Sequence, residues 1–263
     1  MSVLSKKFDQ FKSAIETGNA DAATINDIIE ALDEGKLRVA EKKQGKWVVN
    51  EWIKEAIVRY FGVTHMESID CLPFHFRDKI PLKEDIGQLR IVPGGNSIRF
   101  GAHLEPQVVM MPPSFVNIGA RVGRGSMIDS NVLVGSCAQI GSDVHLSAGV
   151  QIGGVLEPAN ARPVILEDRV FTGAGAIIVE GILIRASAII APGVVLSAGT
   201  RILEVDAQGK IIRTHQGEIP SGAIVVPGAR MRGEVMLQTP VIIGYREEKT
   251  DAKVALSQFL RQF

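Results

Sequence analysis

The stretch Val132-Leu133-Val134-Gly135-Ser136-Cys137-Ala138-Gln139-Ile140-Gly141-Ser142-Asp143-Val144-His145-Leu146-Ser147-Ala148-Gly149-Val150-Gln151-Ile152-Gly153 decides the fold of this 263-residue chain. An apolar residue stands at every sixth position, at Val134, Ile140, Leu146 and Ile152, with a small or β-branched residue two places before each. Glycine follows directly at Gly135, Gly141 and Gly153. The register extends back through Ile128, Val122, Val116, Met110, Leu104 and Ile98. After a break near Gly154 to Pro163 it resumes at Leu166, Thr172, Ile178, Ile184, Ile190, Leu196 and Ile202. A period of six fits neither the 3.6 residues of a helical turn nor simple two-residue alternation, but it matches a hexapeptide parallel β-helix. Each hexapeptide forms one side of a prism, and about eighteen residues complete a coil of three short strands. Apolar side chains then stack inward in columns, and corners need residues that tolerate positive φ.

Composition agrees with this reading. Of the 27 glycines, 22 lie from Gly94 to Gly244, and Phe171 is the one aromatic residue between Val116 and Gly244. A narrow interior accepts Ile, Val and Leu better than rings. Lys plus Arg and Asp plus Glu both count 29, so bulk charge does not recruit nucleic acid or an anionic membrane surface. Cys71 and Cys137 are too few for a disulfide framework, which points to free thiols and a cytoplasmic location. No apolar window reaches the ~18 residues of a membrane span, and residues 1–20, with Lys6, Lys7, Asp9, Lys12 and Glu16, carry no apolar h-region, so neither membrane insertion nor secretion is expected. His65, His75, His103 and His215 lack metal-ligand spacing, so no metal is expected.

Ahead of the repeat, Ile25, Ile28, Ile29 and Leu32 mark one helical face, with Thr24 as its expected N-cap and Gly35 at its end. An earlier helix is expected around Phe8, Phe11 and Ile15. The segments 37–40 and 47–49 flank a hairpin turn, after which Asn50 is expected to cap a helix that buries Trp52, Ile53, Ala56, Ile57 and Tyr60 and closes at Gly62. Residues 63–93 read as an irregular connection. Beyond Ile202 the repeat breaks at 203–218, where Asp206-Ala207-Gln208-Gly209 suggests a protruding hairpin. The chain closes with a strand at 241–245 and a helix from about Thr250, which would cover the open end of the prism. The expected organisation is mainly β: a helical domain and connection at 1–93, the β-helix with inserted loops at 94–228, and a closing strand and helix at 229–263.

Several blocks carry a resemblance. Leu37-Arg38-Val39-Ala40-Glu41-Lys42, Pro113-Ser114-Phe115-Val116-Asn117-Ile118-Gly119-Ala120, Val134-Gly135-Ser136-Cys137-Ala138-Gln139-Ile140-Gly141 and Gly153-Gly154-Val155-Leu156-Glu157-Pro158 resemble the tetrahydrodipicolinate N-succinyltransferase family over nearly the whole chain. The resemblance implies a left-handed parallel β-helix, a homotrimer with active sites between subunits, and no permanently bound cofactor. It also implies a CoA thioester as co-substrate and an amino-dicarboxylate as acceptor, in diaminopimelate and lysine synthesis. Arg90 stands where the family has a substrate-binding arginine, and Asp129 at its active-site aspartate, with substrate-binding and catalytic roles implied. The family's Gly-Ala-Arg-Ser-Glu reads here Gly173-Ala174-Gly175-Ala176-Ile177, so Ile177 occupies the glutamate position; Asn131 stands where the family has tryptophan, and Pro192 replaces another familiar residue. Glu180 is a candidate substitute base, and His145 a base by analogy with other hexapeptide acyltransferases. For the CoA arm the candidates are Gly154, Gly173, Ala191, Lys253 and Arg246. An amine attacking a thioester needs a base and oxyanion donors, and a dicarboxylate favours a guanidinium anchor. Three functions are compatible with these residues: succinyl transfer from succinyl-CoA to tetrahydrodipicolinate; a paralogue using acetyl-CoA or another amine, such as a tabtoxin-type pathway; and a trimeric β-helix that binds without catalysis.

Overall fold

The computed structural model describes residues 3–71 and 73–246. Three helices open the chain: α1 (Val3–Glu16), α2 (Ala22–Asp33) and α3 (Glu51–Val63). The apolar spacing of α2 buries Ile25, Ile28, Ile29 and Leu32. Its cap is Asp21, whose side chain accepts from the Thr24 N–H, so Thr24 lies inside the first turn rather than capping it. Gly35 follows the helix at φ +75°, as a terminating glycine should. Asn50 does precede α3, but its side chain makes no cap bond. Its amide instead donates to Arg38 O (2.7 Å), closing the hairpin Ala40–Lys43/Lys46–Val49 onto the helix start. Gly62 lies within α3, which runs on to Val63. The connection that follows contains an antiparallel hairpin, Glu67–Cys71 with Phe74–Asp78, which the prolines at 73 and 81 obscure in the sequence.

From Arg90, ahead of the boundary expected at 94, the chain coils into three parallel sheets. Face one carries Arg90–Ile91, Val109–Met110, Met127–Ile128, His145–Leu146, Phe171–Thr172, Ile189–Ile190 and Ala223–Val226. Face two carries Ser97–Ile98, Phe115–Val116, Leu133–Val134, Gln151–Ile152, Ile177–Ile178 and Val195–Leu196. Face three begins at His103–Leu104 and ends at Glu218–Ile219. In each repeat strand the second residue is the six-residue register position, and this column is buried throughout, from Ile98 to Ile202. Each fully buried Ile, Val or Leu contributes about 1.5–3 kcal/mol. The first residue of each strand points outward, so Phe171 lies outside the prism, stacked on His145 with ring centroids 5.0 Å apart.

The two kinds of corner glycine have different causes. Gly135, directly after the register residue, has no positive φ; a Cβ there would sit 2.2 Å from the Gly154 amide nitrogen of the next coil. It is required by the close approach of neighbouring coils. The left-handed position falls three residues after the register residue, where Asn131 (φ 61°) and Gly175 (φ 67°) lie. Two excursions interrupt the coil. The insertion at 154–163 is held by Lys54, fully buried in α3, whose ammonium donates to Pro158 O (3.0 Å) and Ala161 O (2.8 Å). The expected hairpin appears as Ile202–Val205 with Ile211–His215. Beyond 228 the chain adds the hairpin Ala229–Arg232/Val235–Gln238, and Val241–Tyr245 then joins the sheet of face one. The helix expected from Thr250, and with it Lys253, lies outside the described residues.

The helical unit packs on the corner between faces two and three, where Ile118 and Cys137 join Ile29, Ile53 and Ile57 in one core. Polar contacts fix the remaining orientation. Glu167, on face three, accepts from Lys42 Nζ (2.8 Å), Trp47 Nε1 (2.9 Å) and the Ala186 N–H (3.1 Å). The edge between faces one and two is left open by this packing.

Candidate active site

Of the residues singled out from the sequence, that open edge carries Asp129, Asn131, Gly173 and Ala191. Asp129 directly follows the strand Met127–Ile128 and turns the chain from face one to face two. Its backbone is outside the left-handed region, which is taken by Asn131, so aspartate is not required here by backbone conformation. The Asp129 N–H donates to Leu146 O (2.9 Å), its carbonyl accepts from Ser114 Oγ (2.7 Å), and its carboxylate Oδ1 accepts from the Ser130 N–H (2.7 Å). One carboxylate oxygen is thereby anchored on a rigid corner while the half-buried side chain stays reachable. Arg90 occupies the same face on the first coil, exposed, in register with Val109 and through it with Met127. Two strand spacings, roughly 9.5 Å, separate the Arg90 strand from the one leading to Asp129.

Gly173 and Ala191 belong to the same corner column as Asp129. Backbone bonds link Ser147 N–H to Thr172 O, Gly173 N–H to Ile190 O and Ala191 N–H to Val225 O, coil over coil. A Cβ at Gly173 would lie 2.4 Å from the Pro192 nitrogen, so glycine there is set by packing. Ile177 lies further along the same coil, outward on face two and 38% exposed, with Val195 beside it. Solvent access to that position is therefore real, but its side chain offers no proton-accepting atom.

Other candidates sit elsewhere. Glu180 is an exposed residue at φ 56° on the corner between faces two and three, a different edge from Asp129, and Gly154 lies on that edge too, against Gly135 and Ser136. His145 is outward on face one, between Met127 and Phe171 in register, with its ring stacked on Phe171. Arg246 donates to Arg169 O (3.2 Å), on the corner between faces three and one. Cys137 is a buried free thiol whose pKa burial pushes up to about 12, which leaves it a packing residue. Among the described residues no group of three or more His, Cys, Asp or Glu is arranged to hold a metal, and no helix is long and apolar enough to cross a membrane.

Beside the Asp129 corner runs a shallow groove of about 340 Å³, lined by Ser97, Ser114, Phe115, Asn131, Leu133 and Gln151 among others. A larger hollow of about 700 Å³ lies between α2 and residues 81–89, and it contains neither Asp129 nor Arg90. The shallow groove is likewise lined by neither Asp129 nor Arg90; what recommends the open edge is that Ser114 and Asn131 of the groove adjoin the Asp129 corner, Ser114 Oγ bonding the Asp129 carbonyl. Sequence reasoning missed Gln151. The available signal was its place in the outward column of face two, Ser97, Phe115, Leu133, Gln151, Ile177 and Val195, where it is the one long polar side chain.

A hexapeptide-repeat β-helix with a carboxylate at one corner and a shallow groove beside it defines the structural class, one to which acyltransferases belong. The model of the tetrahydrodipicolinate N-succinyltransferase N-terminal domain matches residues 4–63. The chain is 41% identical to the 2,3,4,5-tetrahydropyridine-2,6-dicarboxylate N-succinyltransferase of Idiomarina loihiensis, across 96% of this chain and 93% of that one. It is 40% identical to the enzyme of the same name from Sodalis glossinidius, across 97% and 95%. With that of Xylella fastidiosa it shares 42% identity, across 91% and 88%. The chain belongs to this family of N-succinyltransferases, and is an acyltransferase by kinship along nearly its full length.

Proposed function

We propose that this protein transfers the succinyl group of succinyl-CoA to the nitrogen of 2,3,4,5-tetrahydropyridine-2,6-dicarboxylate, in diaminopimelate and lysine synthesis. The observation that carries the reading is the 41% identity across 96% of the chain to a relative of that name. Water adds across the ring C=N bond, and opening of the ring leaves a ketone and a primary amine. The amine attacks the thioester carbonyl, the C–S bond breaks, and the products are an amide and CoA as the thiol. The nitrogen must lose one proton, and Asp129 is the carboxylate on the open edge able to accept it. Arg90, on the same face, holds a substrate carboxylate through its planar fork. The CoA arm lies along the edge past Gly173 and Ala191, whose backbone column is continuous with Asp129. The working assembly is a homotrimer in the cytoplasm, with each groove completed by a neighbouring copy.

Ile177 favours a second reading, in which the donor is acetyl-CoA or the acceptor is a different amine, because an exposed apolar side chain stands where the family carries a carboxylate. Thiol release measured with succinyl-CoA and acetyl-CoA on the same acceptor separates the two. Succinyl-CoA is expected to be preferred by at least about tenfold in kcat/KM, and the opposite preference would move the protein to the second reading. Absence of turnover with either donor would leave a CoA-binding β-helix without catalysis.

A further inference from the structure

A cavity of about 270 Å³ lies where the hairpin of the helical unit meets the corner between faces three and one. Six charged side chains line it: Arg38, Lys42 and Arg121, with Glu105, Glu167 and Asp168. Four are paired with one another, Arg121 with Glu105 (2.6 Å) and Lys42 with Glu167 (2.8 Å). Arg38 and Asp168 are left over, and no ion pair joins them. The half-buried Arg38 donates from Nε to Gln139 Oε1 (2.7 Å), and its guanidinium carbon lies 5.2 Å from the centroid of the Trp47 ring. The hydrogens on its two Nη nitrogens meet no acceptor among the described residues, and neither nitrogen is sealed from solvent. Burial, then the charge of Arg121, push its pKa down to about 10, while Glu105 and Asp168 act on it through space in the other direction. It therefore stays charged at neutral pH. Asp168 is exposed, and its Oδ1 accepts from the Ser142 N–H (2.9 Å), which leaves Oδ2 without a bond among the described residues.

We propose that this cavity binds a free α-amino acid as its zwitterion, the carboxylate on the Nη nitrogens of Arg38 and the ammonium on Asp168. The six lining charges sum to zero, so a phosphate or a dicarboxylate would bring excess negative charge against three carboxylates already present. A ligand with one group of each sign satisfies both residues left without a partner and adds no net charge. Because the Arg38 Nε is engaged by Gln139, the fork offered is the pair of Nη nitrogens, which matches the two oxygens of a carboxylate. At about 30 Å³ per water the cavity holds roughly nine waters, room for a small uncharged side chain beside the two head groups. A charged side chain would find Arg121, Lys42, Glu105 and Glu167 already paired. Arg38 and Trp47 belong to the helical unit and its hairpin, whereas Asp168 and Ser142 belong to the coil, so the bound ligand spans the joint between them and stabilises the docked arrangement. Asp129 lies on a different corner, and this site is independent of the acyl transfer.

L-alanine is the probe, titrated into the full chain at neutral pH by isothermal calorimetry, with propanoate and ethylamine as controls that lack the ammonium and the carboxylate respectively. L-alanine is expected to saturate a single site and to raise Tm, with each control at least about tenfold weaker because it gives up one charge-assisted contact. Asp168→Asn changes an exposed side chain and keeps an oxygen for the Ser142 N–H, so the fold is retained; it should weaken L-alanine at least about tenfold and abolish the rise in Tm. Arg38→Met should weaken it as much, and Asp129→Asn, on the open edge, should bind as the wild type does. Absence of saturable L-alanine binding to the wild type overturns the proposal. So does propanoate binding as tightly as L-alanine, which would make this a plain carboxylate site. Loss of binding in Asp129→Asn with Asp168→Asn unaffected would also overturn it, by moving the zwitterion to the open edge.

Discussion

Lys54→Met is the most direct test of how the helical unit is joined to the coil. Lys54 is fully buried in α3, and its ammonium is held by two backbone carbonyls of the insertion, Pro158 O and Ala161 O, with no carboxylate bonded to it among the described residues. Methionine keeps the apolar stem and removes both bonds. The carbonyls of Pro158 and Ala161, an exposed and a half-buried residue, then lose their partner, at up to about 1–3 kcal/mol each. Against this, the variant no longer buries a cation, which returns part of the loss and brings the net destabilisation to about 2–3 kcal/mol. For a chain of this size that corresponds to a fall in Tm of about 5–10 °C, read by calorimetry at one fixed protein concentration. The pH dependence gives a second readout. Burial lowers the Lys54 pKa in the folded protein, so the unfolded chain binds that proton more tightly. Wild-type stability relative to the variant therefore rises as pH increases through the folded value toward the ordinary lysine value of about 10.4. A Tm within 2 °C of wild type, or a pH-independent difference, would refute the view that this ammonium anchors the insertion.

Asp129→Asn keeps the corner hydrogen bonds to the backbone and removes the proposed base; kcat is expected to fall about 10²- to 10⁴-fold, and an unchanged rate in steady-state assays would exclude the proton-accepting role. Ile177→Glu places a carboxylate on an exposed outward position, so calorimetry should show little change in Tm, while the acceptor KM falls by roughly fivefold if the amine passes that point. Gly135→Ala puts a methyl group 2.2 Å from a backbone nitrogen of the next coil, and is expected to destabilise by more than about 2 kcal/mol in urea unfolding. Burial pushes the Glu167 pKa up, but the donors Lys42, Trp47 and the Ala186 N–H outweigh it and hold the value below the ordinary 4.5. Its folded pKa being the lower one, its stabilisation is present above about 4.5 and is lost as pH falls through the folded value, which Trp47 fluorescence should report as undocking of the hairpin. Glu167→Gln should abolish that acid transition.

The legible part of this molecule is the part in which one local rule repeats. A buried residue every sixth position has to face inward on every strand, so the run from Ile98 to Ile202 reads directly as a prism, and the departures at 154–163 and after Ile202 read as excursions. The rule does not carry the causes of its own glycines: Gly135 and Asn131 are both corner residues, yet one is selected by the next coil's backbone and the other by a left-handed φ. Contacts across the coil, unlike the register, are not periodic. Lys54 meets the insertion more than a hundred positions later, and Asp21 rather than Thr24 caps α2 because cap choice depends on which side chain reaches a free N–H. The site follows the same division. Asp129 could be named from a motif, whereas Gln151 becomes visible only when the outward column of face two is assembled and its amide is seen turned by Asn131 O and Gly149 O. Glu180 shows the converse: only three residues from Ile177 in sequence, it is carried by the next corner to a different edge. In a coil of six-residue sides, proximity along the chain separates side chains, and proximity across coils, about eighteen residues apart, brings them together.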